Sequence, residues 1–257
     1  MPEKEYEKME KGRKEARIGL ESEKEIINRI NTDVKFQNLL RQCLITLGFK
    51  SIKKIQAYKD GVKTDVFVRL DSELGVSVKS STKTSFHQLD RRHLEDWKSL
   101  LNMPFDIFEI IKESILRISK NARDKFILES NRNKIKNFFA KNLKSILNEI
   151  FRKKEQKLKL LLINDKQESK IYIFNMDEVL NFLFKDASNN ISFSNKGIIR
   201  LGNFITVQRK GGDGKHITIP KIDWKHPGNQ LQFKFSPLKF AEYVGATKVI
   251  KFCIIKY

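Results

Sequence analysis

Cysteine is almost missing from this chain: Cys43 and Cys253 are the two in 257 residues, with no Cys-x-x-Cys and no histidine pair beside either. A disulfide framework is excluded, and the spacing argues against a zinc site, so both are expected as buried thiols in a reducing compartment. Long apolar runs are missing too. Leu158 to Ile163 is among the longest, far short of the roughly 20 residues that cross a bilayer. The N-terminus is charged and carries no apolar core of a signal peptide, so a soluble, cytoplasmic protein is expected. No internal repeat and no low-complexity linker interrupts the chain. Acidic residues are scarce relative to basic ones: 31 Asp+Glu face 51 Lys+Arg, a formal charge of +20 and a pI near 9.8.

That uncompensated charge favours a polyanionic partner, with nucleic acid first among them. An AT-rich genome, which inflates Lys, Asn and Ile together, would raise the same counts. A hydrophobic fraction of 40% supplies a real core, and the length fits one large domain or two small ones.

The period of the apolar residues changes along the chain. Ile18, Leu20, Ile26, Ile27 and Ile30 predict an amphipathic helix over about Arg13 to Asn31, and Val34 to Leu47 a second, stopped by Gly48. Ile52 to Tyr58, Thr64 to Leu70 and Leu74 to Lys79 then read as short strands separated by turns, an antiparallel meander. Phe105 to Ser119 and Lys134 to Phe151 carry apolar residues at i, i+3 and i+4, a helical middle section whose aromatics belong to a core. The opposite faces hold Lys120, Arg123, Lys125, Lys134, Lys136, Lys141, Lys144, Arg152, Lys153 and Lys154; a solvated helix face and a phosphate-contacting one both fit. From Leu158 the strand signal returns, at Leu158 to Ile163, Lys170 to Phe174, Ile191 to Phe193, Ile198 to Arg200, Phe204 to Arg209, Leu231 to Phe235 and Val249 to Ile255, with a short helix over Met176 to Phe184. The composition shift near Gln156 divides a region 1–156 from a β-rich region 157–257, the two also being readable as one continuous domain.

Two segments carry chemistry. Between Lys63 and Lys79 an acid, Asp65, stands on one strand and Ser77-Val-Lys79 on the next. In adjacent antiparallel strands Ser77 and Lys79 share a face that Asp65 can join. A carboxylate can hold Mg²⁺, the metal can polarise a phosphodiester and acidify a water, and an ammonium can orient that water. This is the logic of the PD-(D/E)xK nuclease signature, with serine where a second carboxylate is usual. The plain alternatives are a surface acid beside a turn and an exposed strand lysine. The second segment, Thr206-Val-Gln-Arg-Lys-Gly-Gly-Asp-Gly214, ends a strand with two cations and a flexible acidic turn. Arg and Lys donate to guanine O6 and N7, Asp accepts from cytosine N4, and glycines admit close approach to a groove; a hairpin turn that merely needs positive φ fits equally.

Val76-Ser-Val-Lys79 through Ser85-Phe-His-Gln-Leu-Asp-Arg91 and Trp97 resembles the corresponding stretch of the HinP-type restriction endonucleases, monomeric enzymes of the PD-(D/E)xK superfamily that recognise GCGC. Ile191-Ser-Phe-Ser through Arg209-Lys-Gly-Gly-Asp213, followed by Leu231-Gln-Phe-Lys234, resembles that family's C-terminal part. Agreement around Gly19 to Arg29 is weaker, and the resemblance covers about half of the chain. It implies an α/β fold in which a mixed sheet is flanked by helices, with a helical middle section and a β-rich C-terminal DNA-recognition region. It also implies Mg²⁺-dependent cleavage of double-stranded DNA at a short G·C-containing palindrome, and a DNA methyltransferase as genetic partner. Carried over residue by residue, it makes Asp65 the metal-binding carboxylate and Lys79 the catalytic lysine, and puts Asp65, Ser77 and Val78 at the metal. The related Msp-type enzymes share a neutral amide at the place of Ser77, and Glu23 is expected to compensate from the first helix. Gln88, Arg91, Gln208, Arg209, Lys210, Gly211, Gly212 and Asp213 are implied at the DNA. Residues between Gly214 and Leu231 exceed the family segment; there Trp224 reads as packing, and His216 and His226 lack a ligand partner. Two other functions stay open: a non-catalytic DNA-binding protein on a degenerate nuclease fold, and an RNA-binding or RNA-cleaving protein.

Overall fold

Asp33 ends one helix and begins the next, its carboxylate accepting the Phe36 N–H at 2.9 Å in the manner of an N-cap. The helices on either side are α1, over 20–32, and α2, Val34–Thr46. Gly48 at φ +88 stops α2, a conformation that costs a side-chain-bearing residue strain. The computed structural model describes residues 20–49, 55–59, 65–69, 73–82, 85–212 and 217–257. Arg13 to Gly19 of the expected first helix, the Gly19 end of the N-terminal match, Asp213 and His216 lie outside them.

The chain divides into two units interleaved in sequence. The first takes Met1–Ser85, Arg152–Asn181 and Pro237–Tyr257; the second takes Phe86–Phe151 and Phe182–Ser236. Gln156 lies close to one of the four crossings.

In the first unit β1 (Gln56–Tyr58), β2 (Val66–Arg69) and β3 (Glu73–Ser81) form the expected antiparallel meander. β5 (Leu158–Asp165) then pairs parallel to β3, and β6 (Lys170–Asn175) and β11 (Phe252–Lys256) complete a mixed sheet in the order β1-β2-β3-β5-β6-β11. Strand alternation separates its two faces. Val66, Val68, Val76, Val78, Leu160, Leu162, Ile171, Ile173 and Ile255 form one core cluster with Ile26, Ile30, Phe36, Leu40 and Leu44 of α1 and α2. The other face meets α7 (Pro237–Thr247), whose Phe240 ring stands edge-on to Phe174 at 5.2 Å.

The second unit holds β4 (His87–Arg92), α3 (Leu94–Leu101), α4 (Phe105–Lys120), α5 (Arg132–Arg152, whose last residue belongs to the first unit), β7 (Ile191–Phe193), β8 (Ile199–Leu201), β9 (Ile205–Arg209) and β10 (Leu231–Phe235). Helix α6 (Met176–Ser188) runs from the first unit into the second. All pairs of the second sheet, ordered β4-β10-β9-β8-β7, are antiparallel. Leu231, Phe233 and Phe235 turn to the core, where Phe233 meets Trp97 at 4.7 Å and Phe139 at 6.4 Å, and Phe235 meets Phe151 at 5.3 Å. The apolar stripe of α5 is buried as its spacing requires. One ionic group lies beside this core: Arg92 holds Asp90 at 2.7 Å and Glu149 at 3.0 Å and stacks over Trp97. Among the described residues no helix is long and apolar enough to cross a membrane.

Candidate active site and DNA-reading face

The β2–β3 ladder ends at the Val66–Val76 pair. Asp65 sits one residue beyond it, its N–H held by Val76 O at 3.0 Å, so its side chain meets β3 where β2 no longer does. One oxygen, Asp65 Oδ2, accepts from three donors there: the Val78 N–H at 2.6 Å, Ser77 Oγ at 3.1 Å and Lys79 Nζ at 3.1 Å. Because the N–H and C=O of a strand residue point the same way, Val78 O opens to the same side, and Lys79 Nζ donates to it at 3.1 Å. Asp65, Ser77, Val78 and Lys79 are thus together. Ser77 is 5% exposed, while the Asp65 and Lys79 side chains are 22% and 20% exposed, sheltered yet reachable. Oδ1 of Asp65 has no partner among the described residues.

Glu23 is elsewhere engaged: Lys59 Nζ lies 2.6 Å from its Oε2. Among the described residues no three His, Cys, Asp or Glu side chains gather into a metal cluster. The donors that converge are one carboxylate, one hydroxyl and one backbone carbonyl, all hard oxygens. Such a set suits a small divalent ion that keeps several of its waters. The Lys79 ammonium, 3.1 Å from both Asp65 Oδ2 and Val78 O, marks the point where two of these oxygens address one cation.

In the second unit the face of the sheet opposite the phenylalanines is polar. Register places Gln208 and Arg91 on either side of Gln232, and Thr206 and Gln88 on either side of Lys234. A bulge makes this possible on β4. Phe233 pairs Asp90 and Lys234 pairs Gln88, so Leu89 is skipped and Gln88 and Arg91 share a face. Gln88 and Arg91 are exposed.

The loop after β9 is built rather than slack. Arg209 Nε donates to Asn229 Oδ1 at 2.7 Å, and Asn229, fully buried, donates to Lys221 O and Asp223 O. The Lys210 and Gly211 amides bond Gln230 O and Gly228 O at 2.9 and 3.0 Å. Gly211 and Gly212 stand at φ +69 and +90, so the turn demands glycine whatever else it does. Burial, then Arg91, then Arg209, hold the Lys210 ammonium below lysine's ordinary value. Three cations crowded this way repel one another.

Trp224 donates from Nε1 to Glu95 on α3. His226 is buried and accepts the Gly228 N–H through Nδ1 at 2.9 Å. Several cations of the helical section already have acidic partners: Lys125 has Glu129, Lys134 has Asp106 and Arg152 has Asp177. Strand alternation from Phe233 puts Gln232 and Lys234 on the same polar face, a signal present in the sequence.

No curated protein sequence matches the chain. In fold it is similar to the restriction endonuclease MspI, solved in complex with its cognate DNA, with a TM-score of 0.57 and 14% identity over 91% of this chain and 93% of that one. By sequence, residues 45–240 match the family described as R.HinP1I restriction endonuclease, well over half of the chain and both blocks that carry the resemblance. This chain belongs to the R.HinP1I restriction endonuclease family.

Proposed function

We propose that this chain is a type II restriction endonuclease that hydrolyses phosphodiesters of duplex DNA, with Mg²⁺, at a short G·C-containing palindrome of four base pairs, GCGC-like. The observation that carries the reading is the convergence of Asp65 Oδ2, Ser77 Oγ, Val78 O and Lys79 Nζ at the end of one strand ladder. A magnesium ion held by Asp65, Ser77 Oγ and Val78 O would supply Lewis-acid polarisation of the phosphate and a more acidic water. Asp65 is kept in place by the Val78 N–H, so its free oxygen is aimed before substrate arrives. Lys79 orients the attacking water and offsets the negative charge that develops on the phosphate. On the other unit Arg91, Arg209 and Lys210 meet phosphates or guanine edges, and Gln88, Gln208 and the glycine turn approach the bases. Glu23, paired with Lys59, takes a supporting part at most. We further propose a cytoplasmic monomer with one such centre, cutting the strands in turn, with a companion methyltransferase.

The test is digestion of plasmid DNA with and without Mg²⁺, with Asp65→Ala beside the unmodified protein. Discrete fragments that need Mg²⁺ and vanish in the variant are expected; fragments that persist in Asp65→Ala would sink the catalytic assignment. Serine in place of a second carboxylate favours one other reading, a sequence-specific binder that does not cut. A specific shift of duplex DNA with no scission in Mg²⁺ or Mn²⁺ would select it.

A further inference from the structure

Gln88 and Gln232 meet across the polar face of the second sheet: Gln232 Nε2 donates to Gln88 Oε1 at 2.8 Å. The two residues differ in freedom. Gln88 is exposed, whereas Gln232 is 6% exposed and stands between Gln208 and Arg91 in register. The buried member is the less free of the two, and it holds the Gln88 amide by its carbonyl. An amide has one accepting end and one donating end. With its carbonyl turned to β10, Gln88 presents its NH₂ group outward.

Which end faces out decides which base edge fits. Guanine offers O6 and N7 in the major groove, both acceptors; cytosine offers the N4 amine and adenine an amine beside N7. The paired donor and acceptor by which a glutamine grips adenine need both amide atoms turned to the base, and here the carbonyl is turned to Gln232. We infer that Gln232 is a specificity-determining positioning residue, which holds the Gln88 amide as an outward hydrogen-bond donor and so makes Gln88 a reader of guanine rather than of cytosine in a G·C-containing target. This rests on the restriction reading given above, since it presupposes that this face meets base edges. The bulge at Leu89 adds a reason for the arrangement: without it Arg91 would turn away from the face that Gln88 occupies.

The orientation can be reversed chemically. In Gln232→Glu the buried group can only accept, so the Gln88 amide turns over and shows its carbonyl. A buried carboxylate can also impair folding, so Gln88→Glu on the exposed side serves as the second variant. One of its oxygens still accepts from Gln232, and the other faces out as an acceptor.

The experiment is selection of bound duplexes from a pool with a randomised centre, without divalent metal, followed by sequencing and ranking of bases at each position. For the unmodified protein guanine is expected at the Gln88 position and its palindromic mate. In either variant the preference there moves toward cytosine or adenine, the ratio changing by about tenfold or more, while the other positions keep their ranking. A residue that merely supports the fold would scale all affinities alike. Variants that stay folded by circular dichroism and keep the guanine ranking would overturn the inference while leaving the restriction reading intact. An unmodified protein that selects no sequence at all would overturn that reading, and this inference with it.

Discussion

Replacing Asp65 separates two roles that its position combines. The carboxylate binds the Val78 amide, the Ser77 hydroxyl and the Lys79 ammonium through one oxygen. In Asp65→Ala the buried Val78 N–H loses its acceptor, about 1–3 kcal/mol. The ion pair with Lys79, partly screened at about one-fifth exposure on each side, adds less than about 1 kcal/mol. The expected loss is about 1–4 kcal/mol by chemical denaturation. Asp65→Asn keeps the shape and an oxygen for the Val78 N–H, so it is expected to lose about 1 kcal/mol. Cleavage should not distinguish the two. Both variants lack the anionic oxygen that would hold Mg²⁺, and a fall of at least about a thousandfold is expected, near 4 kcal/mol of barrier. Specific binding to duplex DNA in the absence of metal should survive in Asp65→Asn. The reasoning is refuted if Asp65→Asn, folded and binding, cuts within about tenfold of the unmodified protein. The carboxylate would then be a strand lock and nothing more.

Lys79→Met removes the cation that Asp65 Oδ2 and Val78 O already share; Mn²⁺ titrated calorimetrically without DNA should bind several-fold more tightly while strand scission is lost, and weaker binding would place the metal elsewhere. Arg92→Met leaves Asp90 and Glu149 close together and sheltered, costing about 3–5 kcal/mol at neutral pH. Denaturant titration of the two proteins side by side reads that deficit. Gly197→Ala puts a Cβ 2.5 Å from Ile127 O and 2.6 Å from Ile127 N at φ +71; both are backbone atoms, so about 3 kcal/mol is expected to be lost, read by thermal melting. The Cys43 thiol is pushed up to about 12 by burial and by the Cys253 thiol beside it, so alkylation at pH 8 should modify Cys253 and spare Cys43, as peptide mass spectrometry would report.

Local periodicity carried the elements that bury one regular face. The meander of β2 and β3, the stripes of α4 and α5, and the strands β5, β6 and β10 all read correctly, because in each the spacing of apolar residues matches the geometry that buries them. β4 escaped notice because it serves the polar face. Leu89 is the lone aliphatic of His-Gln-Leu-Asp-Arg-Arg, and the bulge there breaks the period of two. α3 is eight residues long and has no side-chain cap. α7 did leave a signal, a proline at its first position and buried Leu238, Ala241 and Val244 at helical spacing, but Gly245 and the strand just before it obscured the pattern. The convergence of Asp65, Ser77 and Lys79 was legible because two neighbouring strands create it. The pairings of β3 with β5 and of β4 with β10 were not, since each joins residues separated by long stretches of chain. The bond between Gln88 and Gln232 belongs to the same class.

The interleaving of the two units bears on how a new target sequence could be installed. The polar sheet face is encoded in two inserts, Phe86–Phe151 and Phe182–Ser236, and the chain afterwards returns to add α7 and the edge strand β11 to the first unit. No single terminal cassette contains either whole sheet. A chimaera made by exchanging tails would give one parent's α7 and β11 to the other parent's sheet, leaving β6 to pair with a foreign edge. Exchange of both inserts together, with joints at the four crossings, is the only transplant that moves a whole sheet at once. Substitution of single side chains on the polar face leaves both sheets whole, which exchange of tails does not.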